Sequence, residues 1–567
     1  MFRRNWQNPD RVYISLQASG RGAKNHCNPA GSNQSNDGGG FPEWTGDAGI
    51  GGLTKMEFPF ESAWQSRIER KIPAGSPGGK AIHFCSIKIE EHEATLKPDA
   101  EHFFSYWKEE GELAEDVILL LHLQRKRQEP WNENRICVFQ QLYELDPKRK
   151  NDRIRGCTLK GESESLEWLS LIVPGNETPL EVIAKHFGTA VVSPKDPMRL
   201  DVLQIPKPWG YEGWFTGVEK RAVALIHDRF GRTELPYALG LFPEPLLNGA
   251  DEQLILLKTL NPVREEVLGD LYLEMHEKKW EVYVVTALDP EAWPSGKGKI
   301  LAGLNPEVIS RYRERYGENW SEPCLRDFQE QIREYEIIRR ELDQLLDRLK
   351  QEVGISESEV ISPEQMVELE QKLPEHLRQE EKELRQKAYA YIGRVSVEIG
   401  DVVTFPALQV HSLQHGIRVI EFQTPHYERL IVMFAQKVLT QNHWDTDRAM
   451  DLLNTEPYRL PEPQLLTEEV GYLEERIVDF PDFSSERIRM DEDISRKFQC
   501  EGRYHLIICV KGKLRLESQS GNRFDLLPEE AIFLPASTSF YRITNSGMNS
   551  MIFLRAVPVN AQPVKLD

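Results

Sequence analysis

Residues 400–423 constrain the fold of this chain more than any other stretch. Apolar residues in and just before it alternate or cluster in short runs: Val395, Val397 and Ile399, then Val402, Val403 and Phe405, then Val410 and Leu413, then Val419 and Ile420. Gly400, Pro406 and Gly416 interrupt these runs, which gives the pattern of strand, turn and strand. Single polar side chains sit inside the apolar strands. His411 is in one, and Glu421 and Gln423 are in the next, where a period of two aims both at one face of a sheet. The interior of a small barrel is such a face.

A complementary pattern lies upstream. Leu271-Tyr272-Leu273-Glu274-Met275-His276 is followed by Glu277-Lys278-Lys279-Trp280-Glu281 and the apolar residues Val282, Val284 and Val285. Glu274 and His276 are two apart and share one face of a strand, and Glu281 opens a second strand after a short turn. Two imidazoles and carboxylates converging from separate strands suit a divalent ion such as zinc, and iron or manganese nearly as well.

The upstream run resembles the first cupin motif, His-x-His followed after three or four residues by Glu, with Glu274 in place of the first His. The downstream run resembles the second, with Gly400, Pro406 and His411 in register and Leu408 and His415 in the family's Gly and Asn places. Within the cupins the chain is most similar to type I phosphomannose isomerase. That family pairs Gln-x-His and Lys-x-Glu with a distant His followed by Gly, Glu-x-Gln and Arg. This chain has Glu274-x-His276, Lys279-x-Glu281, His411, Gly416, Glu421-x-Gln423 and Arg429. Two departures stand out. Glu274 replaces a neutral amide with an anion, and residues 424–428 form a shorter segment than the family's.

The resemblance implies interconversion of mannose 6-phosphate and fructose 6-phosphate, with a divalent metal as cofactor and a small phosphorylated sugar as partner. It implies Glu274, His276, Glu281 and His411 as metal ligands and Lys279, Glu421 and Arg429 as catalytic residues. Trp209, Lys279 and Arg429 would bind substrate, Trp209 because Pro206-Lys207-Pro208-Trp209-Gly210 resembles the family's opening Trp-Gly segment. A Trp packed beneath the barrel is the alternative for Trp209. Two other classes stay open for the whole chain. One is another metal-dependent cupin enzyme, an epimerase or oxygenase. The other is a non-catalytic sugar-phosphate-binding protein in which Glu274 and the altered loop near Arg429 mark a lost activity.

A chain of 567 residues with 40% hydrophobic residues can fill three or four cores. Its formal charge of -20 argues against nucleic-acid and anionic-membrane partners, though not against a sugar phosphate held in a local basic pocket. Seven scattered cysteines without a Cys-x-x-Cys pair read as reduced thiols of a cytoplasmic protein. The N-terminus lacks the apolar run of a secretory signal, and no apolar window is long enough to span a bilayer, so a soluble protein is expected.

The expected fold is mainly β, bicupin-like, with a helical insertion and a β-rich N-terminal domain. Residues 1–60 read as a flexible arm rich in Gly, Asn and Ser, and 61–200 as a separate β-rich domain of unassigned role. In it, residues 82–89, 117–123, 136–145 and 166–173 read as strands and residues near 100–107 and 179–187 as helical. Its His83, His92, His102 and His122 have no ligand spacing, and residues 74–81 match a phosphate-binding loop poorly. The catalytic cupin is expected over 201–304 and 392–445, with 254–260 as a buried strand. In the insertion, 305–391, apolar residues from Phe328 to Val353 recur at threes and fours, and a second helix is expected from Ser362 to about Tyr391. Residues 446–567 read as a second cupin-like barrel without metal ligands, His505 being its only histidine.

Overall fold

The computed structural model describes residues 81–89, 117–129, 132–146, 154–160, 177–219, 222–248, 254–356 and 359–559. The expected arm over 1–60, the glycine-rich loop before Ala81, the helical stretch near 100–107, the strand over 166–173, and His92 and His102 lie outside these residues. The described residues are mostly β-sheet, and none of their helices is long and apolar enough to cross a membrane.

The strands Ala81–Ile89, Val117–Glu129, Asn132–Leu145 and Ile154–Lys160 form a four-stranded sheet, with only the first pair parallel. Period-two alternation gives this sheet two apolar faces. Leu120, Leu142, Cys157 and Leu159 pack under Leu180, Ile183 and Ala184 of the helix Pro179–Phe187. That helix starts where it does because Thr178 and Glu181 close a capping box and Pro179 occupies the first turn. On the other face Leu121, Leu123 and Tyr143 enter a core shared with both barrels, and the Tyr143 hydroxyl donates to the Leu241 carbonyl at 3.1 Å. The sheet expected as part of a separate domain over 61–200 thus has a core of its own on the helix side and shares its other core with the barrels.

The barrel that carries the ligand candidates is made of two antiparallel sheets. One has the order Val402–Phe405, Glu281–Leu288, Ile417–Gln423, Leu256–Pro262, Gly210–Trp214, Leu203–Lys207. The other runs Ile392–Val397, Gly298–Leu304, His411–Ser412, Leu273–Met275, Leu430–Met433. Tyr283, Val285, Phe405 and Val419 of the first meet Leu273, Met275, Ile300 and Ile431 of the second in one core. Val282, Val284, Ile420 and Phe422 face the opposite way, into the core shared with the other sheets. Burial on both faces explains why these strands read as near-continuous apolar runs, and it makes each polar residue inside them conspicuous.

A second pair of sheets, nine-stranded and four-stranded, encloses a further core around Ile488, Ile507, Leu514, Tyr541 and Phe553. The nine-stranded sheet also takes in Met198–Asp201, Leu225–His227 and Arg232–Glu234. Part of the stretch expected wholly in the catalytic barrel thus pairs with the C-terminal sheet. Five of the C-terminal strands, Gln464–Glu469, Tyr472–Asp479, Phe483–Met490, Ser495–Gln499 and Arg523–Leu526, were not expected from the sequence.

The insertion folds as helices Pro306–Tyr316, Ser321–Glu352, Pro363–Glu370 and Glu375–Tyr389. Phe328, Ile332, Tyr335, Ile338 and Leu342 of the long helix are buried in the barrel's core. The single helix expected from Ser362 is two, because Pro374 cannot continue a helix and instead caps the next one.

Candidate metal centre

Each ligand candidate reaches the barrel through a different local device. Glu274 pairs directly across the sheet with His411, so strand register alone sets them side by side. His276 follows the end of that strand, where its carbonyl accepts from the Leu408 N–H at 2.6 Å. Leu408 holds φ +68°, a left-handed conformation that favours glycine and costs a leucine about 1 kcal/mol. The turn expected at the family's Gly is therefore made by Leu408. Glu281 begins its strand opposite Phe405 and Gln423.

Glu274, His276 and His411 each present one ligand atom within 4.8 Å of the others. Glu281 lies against both imidazoles, with Oε1 3.3 Å from His276 Nε2 and Oε2 3.0 Å from His411 Nε2. The outward nitrogens fix the tautomers. His276 Nδ1 is 3.0 Å from the Glu428 carbonyl and His411 Nδ1 is 2.9 Å from the Gln409 carbonyl. A carbonyl only accepts, so each Nδ1 carries a proton, and a neutral His276 ring turns its Nε2 lone pair inward. Lone pairs and carboxylates then face each other.

Glu274 Oε2 and His276 Nε2 are buried and make no hydrogen bond, the 3.3 Å approach to Glu281 included. Burial, and then the Lys279 ammonium, lower the His276 pKa, so an imidazolium is a poor remedy for this crowding of acceptors. A divalent cation is a good one, and two nitrogens with carboxylate oxygens are a donor set such an ion accepts. Against the cost of burial, the Lys279 ammonium at 2.6 Å holds the Glu281 carboxyl well below the usual carboxylate range. Burial keeps the Tyr283 phenol neutral, and its hydroxyl donates to Glu281 Oε2 at 3.1 Å.

Beside this cluster stands a second group of charges. Glu421 pairs across the sheet with Tyr283 on one side and Lys258 on the other. Lys258 Nζ donates to Gln423 Oε1 at 2.7 Å and lies 4.0 Å from Glu421 Oε2, over the Trp214 ring at 5.4 Å. Burial pushes the Glu421 carboxyl up to about 8, with Lys258 opposing. The Lys258 ammonium keeps its proton in spite of burial, because Glu421, Glu212, Glu281 and Glu274 surround it. Glu212 is shared by Lys207 at 2.9 Å and the Trp214 indole N–H at 2.8 Å.

Of the sequence candidates, Glu274, His276, Glu281, His411, Lys279 and Glu421 come together. Arg429 sits at the edge, donating to Thr440 Oγ1 at 2.7 Å and stacking over Tyr272 at 4.6 Å. Its charge is favoured, against burial, by Glu274, Tyr272 and Glu212. Trp209 is 1% exposed within the barrel's apolar core, and the ring beside the ammonium is Trp214. The expected sugar-stacking wall is corrected to that extent. His415, in the family's Asn place, pairs with Asp270 at 2.7 Å and stacks on Trp293. Lys258 escaped the sequence reading although it carries the same signal as His411, a lone polar residue in a buried strand.

No family model matches this chain, and no curated protein matches it. Among solved structures, mannose 6-phosphate isomerase from Bacillus subtilis is similar at 12% identity and a TM-score of 0.43, over 64% of this chain and 99% of that one. A variant of phosphomannose isomerase from Salmonella typhimurium is similar at 13% identity and a TM-score of 0.45, over 64% and 99%. A second variant of the Salmonella typhimurium enzyme gives 12% and 0.46 over the same shares. These are weak likenesses of part of the chain, and the chemistry of the site rests on its own residues.

Proposed function

We propose that this protein is a divalent-metal-dependent aldose-ketose isomerase acting on a small phosphorylated sugar, mannose 6-phosphate and fructose 6-phosphate being the pair implied by its sequence resemblance. The observation that carries the reading is the Glu274, His276, His411 cluster within 4.8 Å, lying in the same barrel as the buried Lys258 and Glu421. A divalent ion, most simply zinc, would be held by Glu274, His276, His411 and Glu281 and would supply Lewis-acid polarisation of the substrate's adjacent oxygens.

The reaction moves one proton between neighbouring carbons and one between their oxygens. Glu421 is the residue suited to the carbon-bound proton. It takes the proton from C2 as the electron pair forms the C1–C2 double bond of an enediol, and returns it to C1 as the C2 carbonyl forms. A carboxyl near pKa 8 is basic enough for that exchange. Lys258 holds Glu421 and donates to substrate oxygens. Lys279 is committed to Glu281 at 2.6 Å, so its role is to hold that carboxylate rather than to act as a base. Arg429, at the rim, pairs with the phosphate or with the enediolate charge.

The test is conversion of mannose 6-phosphate to fructose 6-phosphate by purified protein, after chelation and after adding back zinc, manganese, cobalt or iron. Turnover restored by metal is expected. Fully loaded protein that binds the sugar phosphate without turning it over would refute the isomerase and favour the binding protein. Turnover of a different substrate with iron and oxygen would favour an oxygenase, a reading the anionic Glu274 supports because an added carboxylate suits harder ions.

A further inference from the structure

We propose that Glu428 is the positioning residue of the metal centre, acting through the turn that joins its two upstream ligands. The proposal rests on the metal-dependent reading above. His276 and Glu281 are separated by Glu277, Lys278, Lys279 and Trp280, and three successive backbone N–H groups of this turn converge on one carboxylate. Glu277 donates to Glu428 Oε2 at 3.1 Å, and Lys278 and Lys279 donate to Oε1 at 2.8 and 3.1 Å. Such a concave run of N–H groups is an anion-binding nest, and here a residue of the same chain fills it.

Glu428 also meets the ligand itself. Its carbonyl is the acceptor for His276 Nδ1 at 3.0 Å, the contact that places the proton on Nδ1 and leaves Nε2 free for a cation. One residue therefore fixes both the ring tautomer of His276 and the path of the chain from His276 to Glu281. The neighbouring ladder is firm: Thr424 donates to the Trp280 carbonyl at 3.0 Å, and the Trp280 N–H donates to Thr424 Oγ1 at 3.2 Å. A side-chain hold on the turn that touches no ligand is the Arg448–Glu277 ion pair at 3.1 Å, whose arginine side chain is 56% exposed.

Second-layer contacts around metal ligands change metal affinity by about 10- to 100-fold when removed, and truncating Glu428 removes the carboxylate that holds the turn while its carbonyl remains on His276. The experiment measures cobalt(II) affinity by chelator competition and the visible spectrum of the cobalt(II)-loaded protein, for wild type, Glu428→Ala, Glu428→Gln and Arg448→Ala. Backbone amide exchange over 277–280 is followed in the same set. Glu428→Ala is expected to bind cobalt(II) about 10- to 100-fold more weakly, with an altered spectrum and faster exchange. Glu428→Gln keeps one acceptor oxygen for Lys278 and Lys279 and should recover most of the affinity, which also guards against a Glu428→Ala protein that folds poorly. Arg448→Ala should match wild type.

Wild-type protein that takes up no cobalt(II) would overturn the metal reading and this proposal with it. Wild-type binding accompanied by unchanged affinity and spectrum in both Glu428 variants would overturn this proposal alone. An Arg448→Ala protein as impaired as Glu428→Ala would do the same, since any loosening of the turn would then suffice.

Discussion

Replacing Lys258 by Met tests the electrostatics of the site most directly. The groups that set the Glu421 proton are Lys258, Glu281, Lys279, Glu212 and, across the sheet, Tyr283. Burial raises the carboxyl to about 8, and Lys258 is the largest opposing influence, 4.0 Å away. At that distance and an effective dielectric of about 20, two unit charges attract by about 4 kcal/mol, equivalent to about three pH units. Relaxation reduces this, and removing the ammonium should raise the Glu421 midpoint by about two pH units. At pH 7 the ionised fraction would fall about 100-fold, and kcat with it if Glu421 is the base. The direct assay is infrared difference titration of the protonated carboxyl band on metal-free protein, with Glu421→Gln assigning the band. A midpoint that stays put or moves toward acid in Lys258→Met would refute the reasoning. The sign for stability is also fixed. A carboxyl raised to about 8 holds a proton that the unfolded chain releases near pH 4.3, so its contribution to stability declines as pH rises between these values.

Three further outcomes are expected. His276→Ala and His411→Ala should each reduce bound metal from about one ion per chain to near zero after gel filtration, read by elemental analysis. Glu274→Gln, which keeps a donor oxygen, should bind more weakly but measurably. Tyr335→Phe removes the hydroxyl that donates to buried Glu381 at 2.8 Å, a contact between the two long helices of the insertion. A loss of about 1–2 kcal/mol is expected, seen as faster amide exchange in Ser321–Glu352 and Glu375–Tyr389, with the barrel strands unchanged. Acid should destabilise the chain through two buried histidines: burial pushes His122 down to about 4 and His505 well below its ordinary range. The unfolded chain takes up these protons below about pH 6.5, so stability falls from there down to about pH 4, by about 3 kcal/mol for His122. His505→Gln should move the acid-unfolding midpoint toward lower pH.

The sequence displayed the ligand candidates because of where they sit. In strands apolar on both faces, as Val282, Val284, Ile420 and Phe422 show, a His or Glu stands out, a period of two tells which face it takes, and only their joint spacing set them apart from core histidines and surface ion pairs. Lys258 was available by the same logic, but the apolar run around it read only as a buried strand. The break at Pro374 was equally visible, yet helical periodicity on both sides concealed it. Other features were not legible at all. Leu225–His227 spans three residues, too few to show a period, and Met198–Asp201 pairs with Ala531–Leu534, more than three hundred residues away. Glu428 accepts from backbone N–H groups, which carry no sequence signature, and the φ of +68° at Leu408 was signalled only by its standing in the family's Gly place.

The charges buried at this site are also costly to keep, since removing an ion from water is repaid only by close partners. Glu212, Glu274, Glu281 and Glu421 lie among Lys207, Lys258, Lys279 and Arg429, each influencing at least one of the others. With Glu421 protonated for most molecules at neutral pH, four cations stand against three carboxylates. A bound divalent ion would make the excess larger. The result is a positive interior in a chain whose formal charge is -20. Folding does not require that arrangement, because apolar residues of the same volume would fill the space at lower cost. In the proposed reading, a dianionic phosphate on the substrate would offset that excess. The negative exterior would then slow the approach of competing polyanions, while the focused interior field would favour a small anion.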